Sequence, residues 1–122
     1  RDGAFVTPGT INILVFTNKA LTDSAMVKAM MTITEAKSAA LQDWGVESVR
    51  LYPFINEDIP EAITKERKTS ATGTSTDGII LTIDTNGDVL TDAGSFSLFG
   101  DTLAKAVYVG IQRALQNAIS AE

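Results

Sequence analysis

Residues 71–84 read Ala-Thr-Gly-Thr-Ser-Thr-Asp-Gly-Ile-Ile-Leu-Thr-Ile-Asp. The second half, Gly78 to Asp84, is a β-prone apolar run and predicts a buried strand. The first half sets four hydroxyls, one Gly and one Asp within seven residues. At the mouth of a buried strand, such a loop offers hydroxyls and backbone N–H groups together. Those groups suit an oxyanion, a phosphate or an amide carbonyl. A Thr or Ser hydroxyl there becomes a nucleophile if a base lies beside it. A solvated loop whose hydroxyls bond its own backbone accounts for the same composition.

Two other segments give that strand its company. Ile11 to Thr17 is mostly apolar and β-prone, which predicts a strand buried on both faces. Asn12 interrupts it, and its amide must find partners or face a cavity. A helix is expected from about Asp23 to Trp44, with Thr22 as N-cap and Gly45 as the left-handed C′ residue. Met26, Met30, Ile33, Leu41 and Trp44 fall on one stripe, Lys37 fills its gap, and Val27 and Met31 widen it. Glu47 to Phe54 predicts a short strand ending at Pro53. Asn56 to Lys68 reads as an exposed excursion with a short helix over Pro60 to Arg67. Asn86-Gly87 is the preferred dipeptide of a two-residue hairpin, so Asp88 to Thr91 should return antiparallel to the strand before it. A second helix is expected from Asp101, as N-cap, to Ser120. Its apolar face carries Leu103, Val107, Ile111, Ala114, Leu115 and Ala118. The sum predicts an α/β (α+β) fold, a mixed sheet with two long amphipathic helices packed mainly on one face.

The chain has 122 residues, a formal net charge of −5, 44% hydrophobic and 20% charged residues. That length fits a single domain over residues 1–122 with its own core. The acidic balance argues against nucleic acid, because phosphate neutralisation needs clustered Lys and Arg. No run reaches the roughly 20 apolar residues of a membrane helix, and a cytoplasmic location is expected. The absence of Cys and His removes disulfides, thiol nucleophiles, the Ser-His-Asp triad and nearly every zinc site. Catalysis would have to use carboxylates, Lys, Tyr, hydroxyls or backbone amides. No metal or cofactor is expected. The start, Arg1-Asp2-Gly3-Ala4, reads as an internal cut.

Within the first helix, Glu35 and Lys37 are two residues apart and do not face one another. Lys37 either snorkels to the helix edge or points into a site, where desolvation would make it a base or carbonyl polariser. Gly94-Ser95-Phe96-Ser97-Leu98-Phe99-Gly100 precedes a helix N-terminus and could hold an anion or carbonyl. It matches no phosphate fingerprint. Phe96 and Phe99 line either a pocket or the core. Asp84 to Asp88 resembles a calcium loop only faintly and reads as a hairpin tip.

Gly9-Thr10-Ile11-Asn12-Ile13, then Thr34-Glu35-Ala36-Lys37, then Ala71 to Asp77 form an ordered set. Together with Gly100 to Leu115, they resemble the adenosylcobinamide amidohydrolase (CbiZ-type) family over most of the chain. The resemblance implies an amidohydrolase-like domain of cobamide salvage. It would hydrolyse the aminopropanol amide of adenosylcobinamide to adenosylcobyric acid, with the corrinoid as substrate rather than cofactor. On that reading Glu35, Lys37, Thr74 and Asp77 are the catalytic candidates. Asn12, Thr72, Gly73, Thr76 and Ser95 are the substrate-binding candidates. Family members carry a His in a closing Gly-rich segment where this chain has Phe96, and the insert from Glu57 to Lys68 is longer than usual. They also carry a substantial N-terminal portion, so residues 1–122 would be the C-terminal part of a longer domain. The missing His makes a non-catalytic corrinoid- or small-ligand-binding domain the alternative. A homodimer or a missing N-terminal fragment is the expected protein partner. A resemblance to the ornithine acetyltransferases, through Thr10 and the TSTD run, is much poorer.

Overall fold

The computed structural model describes residues 10–48 and 69–120. In chain order the elements are β1 (Asn12–Phe16), β2 (Ala20–Leu21), α1 (Asp23–Trp44), β3 (Glu47–Ser48), β4 (Thr69–Ser70), β5 (Gly78–Thr82), β6 (Val89–Leu90) and α2 (Leu98–Ser120). The fold is α/β, with two long helices over small, mostly parallel strand pairs. The strand predicted beyond Ser48 and the helix predicted over Pro60 to Arg67 lie outside the described residues.

β1 pairs with β5 in parallel, Asn12 opposite Gly78 and Phe16 opposite Thr82. Parallel pairing needs a crossover, and α1 lies within it. Thr22 caps α1 by accepting the Ala25 N–H at 3.2 Å. Gly45, at φ 81°, closes it in the left-handed conformation, its N–H on the Gln42 carbonyl at 3.0 Å. Both ends are where the sequence puts them.

The helix interface differs from the predicted stripe. Ala25, Ala29, Thr32, Ile33, Ala36, Lys37, Ala40 and Leu41 are the buried face of α1. Met30 and Met31 are exposed, and Val27 is 65% exposed. Small residues let α2 approach closely, and the buried faces of both helices share one core with Ile13 and Leu21. On α2, Leu103, Val107 and Ile111 are buried, Leu115 is half-buried, and Ala114 and Ala118 are exposed. Thr32 donates to the Ala93 carbonyl at 2.7 Å near the start of α2, and Tyr108 donates to Asp43 at 2.6 Å further along. Both helices therefore run the same way.

Three expectations fail. The Asn86-Gly87 turn makes no hairpin: β6 pairs in parallel with β2, Val89 opposite Ala20. A type I′ hairpin turn needs positive φ at both central residues. Among the described residues only Gly45 and Gly73 have it. Asp84 instead holds the Asn86 N–H with its side chain and the Gly87 N–H with its carbonyl. Past that turn the chain pairs with β2, the strand that follows β5's own partner β1. Gly87 is needed because a Cβ there would strike the Asn18 carbonyl. Second, α2 starts at Leu98, not Asp101. Ser97 is the cap, its Oγ accepting the Gly100 N–H at 3.0 Å. Asp101 lies in the first turn and pairs with Lys105 at 2.8 Å. Third, among the described residues β1 is not covered on both faces. Ile13 and Val15 face the helices, whereas Leu14 is 58% and Phe16 73% exposed.

Candidate functional site

The alternation of β1 and β5 places the site. With Asn12 opposite Gly78, one step back sets Ile11 opposite Asp77, and another sets Thr10 opposite Thr76. Successive side chains point to opposite faces. Asp77 therefore points inward, toward α1, and Thr76 outward.

Inward, Asp77 meets Lys37. Nζ lies 3.0 Å from Oδ2, and the two side chains are only 10% and 8% exposed. Asp77 also accepts the Thr74 hydroxyl at 2.7 Å, the Thr74 N–H at 2.9 Å and the Ile11 N–H at 2.9 Å. Burial pushes this carboxyl up. The bonds from Thr74, Ile11 and Lys37 outweigh it and hold Asp77 well below the usual carboxylate range. A saturated anion of this kind is a poor proton acceptor. Its geometry ties β1, the 71–77 loop and α1 together.

Gly73 lies directly over the pair. Its φ is +143°, and a Cβ there would sit 2.7 Å from Lys37 Nζ and collide with Asp77 Oδ2. The loop can wrap the ion pair only with glycine at this position. Outward, the Thr74 hydroxyl lies 3.3 Å from that of Thr76, which in turn contacts the Thr10 hydroxyl. A continuous polar chain thus runs from a buried ion pair to two exposed hydroxyls at the mouth of the strands. Asn12 lies beside it, its amide oxygen over Gly78.

The structure brings Lys37, Gly73, Thr74, Thr76 and Asp77 into one cluster, with Asn12 at its edge. Thr72 is exposed on the same loop. Glu35, also exposed, stands about 200° around α1 from Lys37 at 100° per residue. Ser95 lies elsewhere. Its neighbour Gly94 packs near Lys28, nine residues before Lys37, or about 13 Å along the helix. Phe96 is fully exposed beside it. Thr10 and the Ile11 N–H belong to the cluster although sequence reasoning gave neither a role. The signal was the shared alternation of Thr10-Ile11-Asn12 and Thr76-Asp77-Gly78, readable only with the parallel register known. Among the described residues no group of three or more carboxylates is placed to hold a metal, and no helix is long and apolar enough to cross a membrane.

The family model described as adenosylcobinamide amidohydrolase matches residues 2–52 and 56–122. An uncharacterised protein of Methanocaldococcus jannaschii is 36% identical over 107 residues, 88% of this chain and 36% of its own length. A protein of Methanosarcina mazei named adenosylcobinamide amidohydrolase is 30% identical over 117 residues, 88% of this chain and 47% of its own. The chain thus spans less than half the length of either relative. No solved structure matches it. A family model matched over almost the whole chain settles membership: the chain belongs to the adenosylcobinamide amidohydrolase family.

Proposed function

We infer that the chain is an amide-hydrolysing domain of cobamide salvage, taking the aminopropanol amide of adenosylcobinamide to adenosylcobyric acid. One observation carries this reading: the buried Lys37–Asp77 pair reaches two exposed hydroxyls through Thr74 at an open strand mouth. Amide hydrolysis adds water across the C–N bond. The carbonyl carbon gains the oxygen and the departing amine gains a proton. Preorganised donors aimed at the carbonyl oxygen are worth most where water is excluded. Thr76 and the 71–77 loop supply such donors here, with Asn12 beside them. Lys37 and Asp77 act as positioning residues that fix Thr74, and through it Thr76.

The test pairs corrinoid binding with aminopropanol release in one sample. The wild-type chain should release aminopropanol from adenosylcobinamide above the no-protein control. Thr76→Val should lower turnover by a factor of roughly 10², while Thr102→Ala, an exposed hydroxyl on α2, should change it little. Binding without release would establish the second reading, a corrinoid-binding domain without the chemistry. The saturation of Asp77 and the lack of any His favour that second reading.

A further inference from the structure

The helices cover one face of the β1–β5 pair, and the other face is bare among the described residues. Leu14 is 58%, Phe16 73% and Ile80 59% exposed. Leu14 and Ile80 are register partners, so they stand side by side. The outward positions from Thr10 to Phe16 and from Thr76 to Thr82 carry no charge. A strand face meant for water normally alternates to polar or charged residues, and exposed strands are usually blunted with Lys or Pro. Parallel strands are found almost only where both faces are covered. Leu14, Phe16 and Ile80 form an uncharged apolar centre on this face, bordered by Thr10, Asn12, Thr76 and Thr82.

The longer relatives have further chain available to cover it. More than half of each lies outside the stretch this chain matches. The Thr10 and Thr76 hydroxyls open onto the same face, two residues before Asn12 and Gly78. A layer seated on Leu14, Phe16 and Ile80 would overhang those hydroxyls and turn an open mouth into a cleft.

We propose that the outer face of β1–β5 is the seat of a second protein layer, formed by chain corresponding to the part of the longer relatives outside the matched stretch, and that this layer forms the facing wall of the Thr10–Thr76 site. The second clause rests on the reading of that site as the substrate cleft; the first does not. Dry burial of these side chains supplies the affinity, and exclusion of water from the hydroxyls is the gain to the site.

The test titrates the isotope-labelled chain with a polypeptide comprising the part of the Methanosarcina mazei relative outside its matched 117 residues. Amide resonances of Leu14, Phe16, Ile80 and Thr76 should shift together. Phe16→Lys and Ile80→Thr, made separately, should each weaken docking at least tenfold while the unfolding midpoint of the chain alone stays unchanged. Absence of docking, shifts confined to another surface, or full affinity in both variants would overturn the proposal. So would a homodimer that Phe16→Lys dissociates, since the occupant would then be a second copy. Aminopropanol release is read in the same samples. Docking without release leaves the surface standing and counts against hydrolysis. Equal release with and without the added polypeptide overturns the claim that the layer completes the site.

Discussion

Gly73 and Asp77 do different work a few ångströms apart. Gly73 keeps a volume empty, and Asp77 fills one with charge. In Gly73→Ala the new methyl meets both members of the ion pair at a φ that L residues rarely adopt. We expect a loss of roughly 2–3 kcal/mol in urea unfolding, with strong non-additivity toward Asp77→Ala because the two sites share one volume. Asp77→Asn leaves the Lys37 ammonium buried without its partner, which should cost roughly 3 kcal/mol near neutral pH. The pH dependence has a definite sign. The folded-state carboxyl is held below its unfolded value. Its stabilisation is therefore complete above about pH 4 and is lost as the pH falls through the lowered folded value. Urea midpoints at pH 7 and pH 3 should converge in Asp77→Asn relative to wild type. At this scale the sequence put Lys37 in the gap of the apolar stripe, either at the helix edge or pointing into a site, and Asp77 at the end of a hydroxyl-rich loop. It could not join them, because they are 40 residues apart and only the strand register brings them together.

The elements divide by how local their causes are. α1 was legible at both ends because Thr22 and Gly45 act through bonds to residues a few places away. Its buried face was misjudged, since large apolar residues dominate a periodicity count. Close helix packing selected Ala29, Ala36 and Ala40 and left Met30 and Met31 in solvent. The start of α2 was misplaced because Ser97 and Asp101 are both acceptable caps by residue type. The geometry decides for Ser97, which also donates to the Gly94 carbonyl at 2.7 Å. Ser97→Ala should destabilise the chain by about 1 kcal/mol and Asp101→Ala by less, measured by thermal unfolding. The Asn86-Gly87 pair misled for another reason. A dipeptide reports its own preference, whereas β6 is captured by β2, and the N–H of Thr22 just beyond β2 bonds the Leu90 carbonyl at 3.1 Å.

Over the whole molecule, acidity and the bare sheet face act against each other. The net charge of −5 keeps copies apart near neutral pH. Near the isoelectric point of about 4.6 that repulsion vanishes, and Leu14, Phe16 and Ile80 remain. Light scattering should show a solubility minimum there, shallower in Phe16→Lys at its own isoelectric point. The two-layer class was readable from two amphipathic helices and two apolar runs. The uncovered layer was not, because an apolar strand reads alike whether its second face is buried or awaiting a partner. The 66-residue separation of Thr10 from Thr76, and of Ile11 from Asp77, also bears on the order of folding. Closing a loop of that length costs on the order of 4 kcal/mol before any contact offsets it. Contacts this distant in sequence form late and slow the search. A nascent chain that has not yet emerged past residue 77 can wind α1, yet it holds no polar cluster at all. Assembly of the Thr10–Asp77 cluster is thus withheld until β5 has been synthesised and paired with β1.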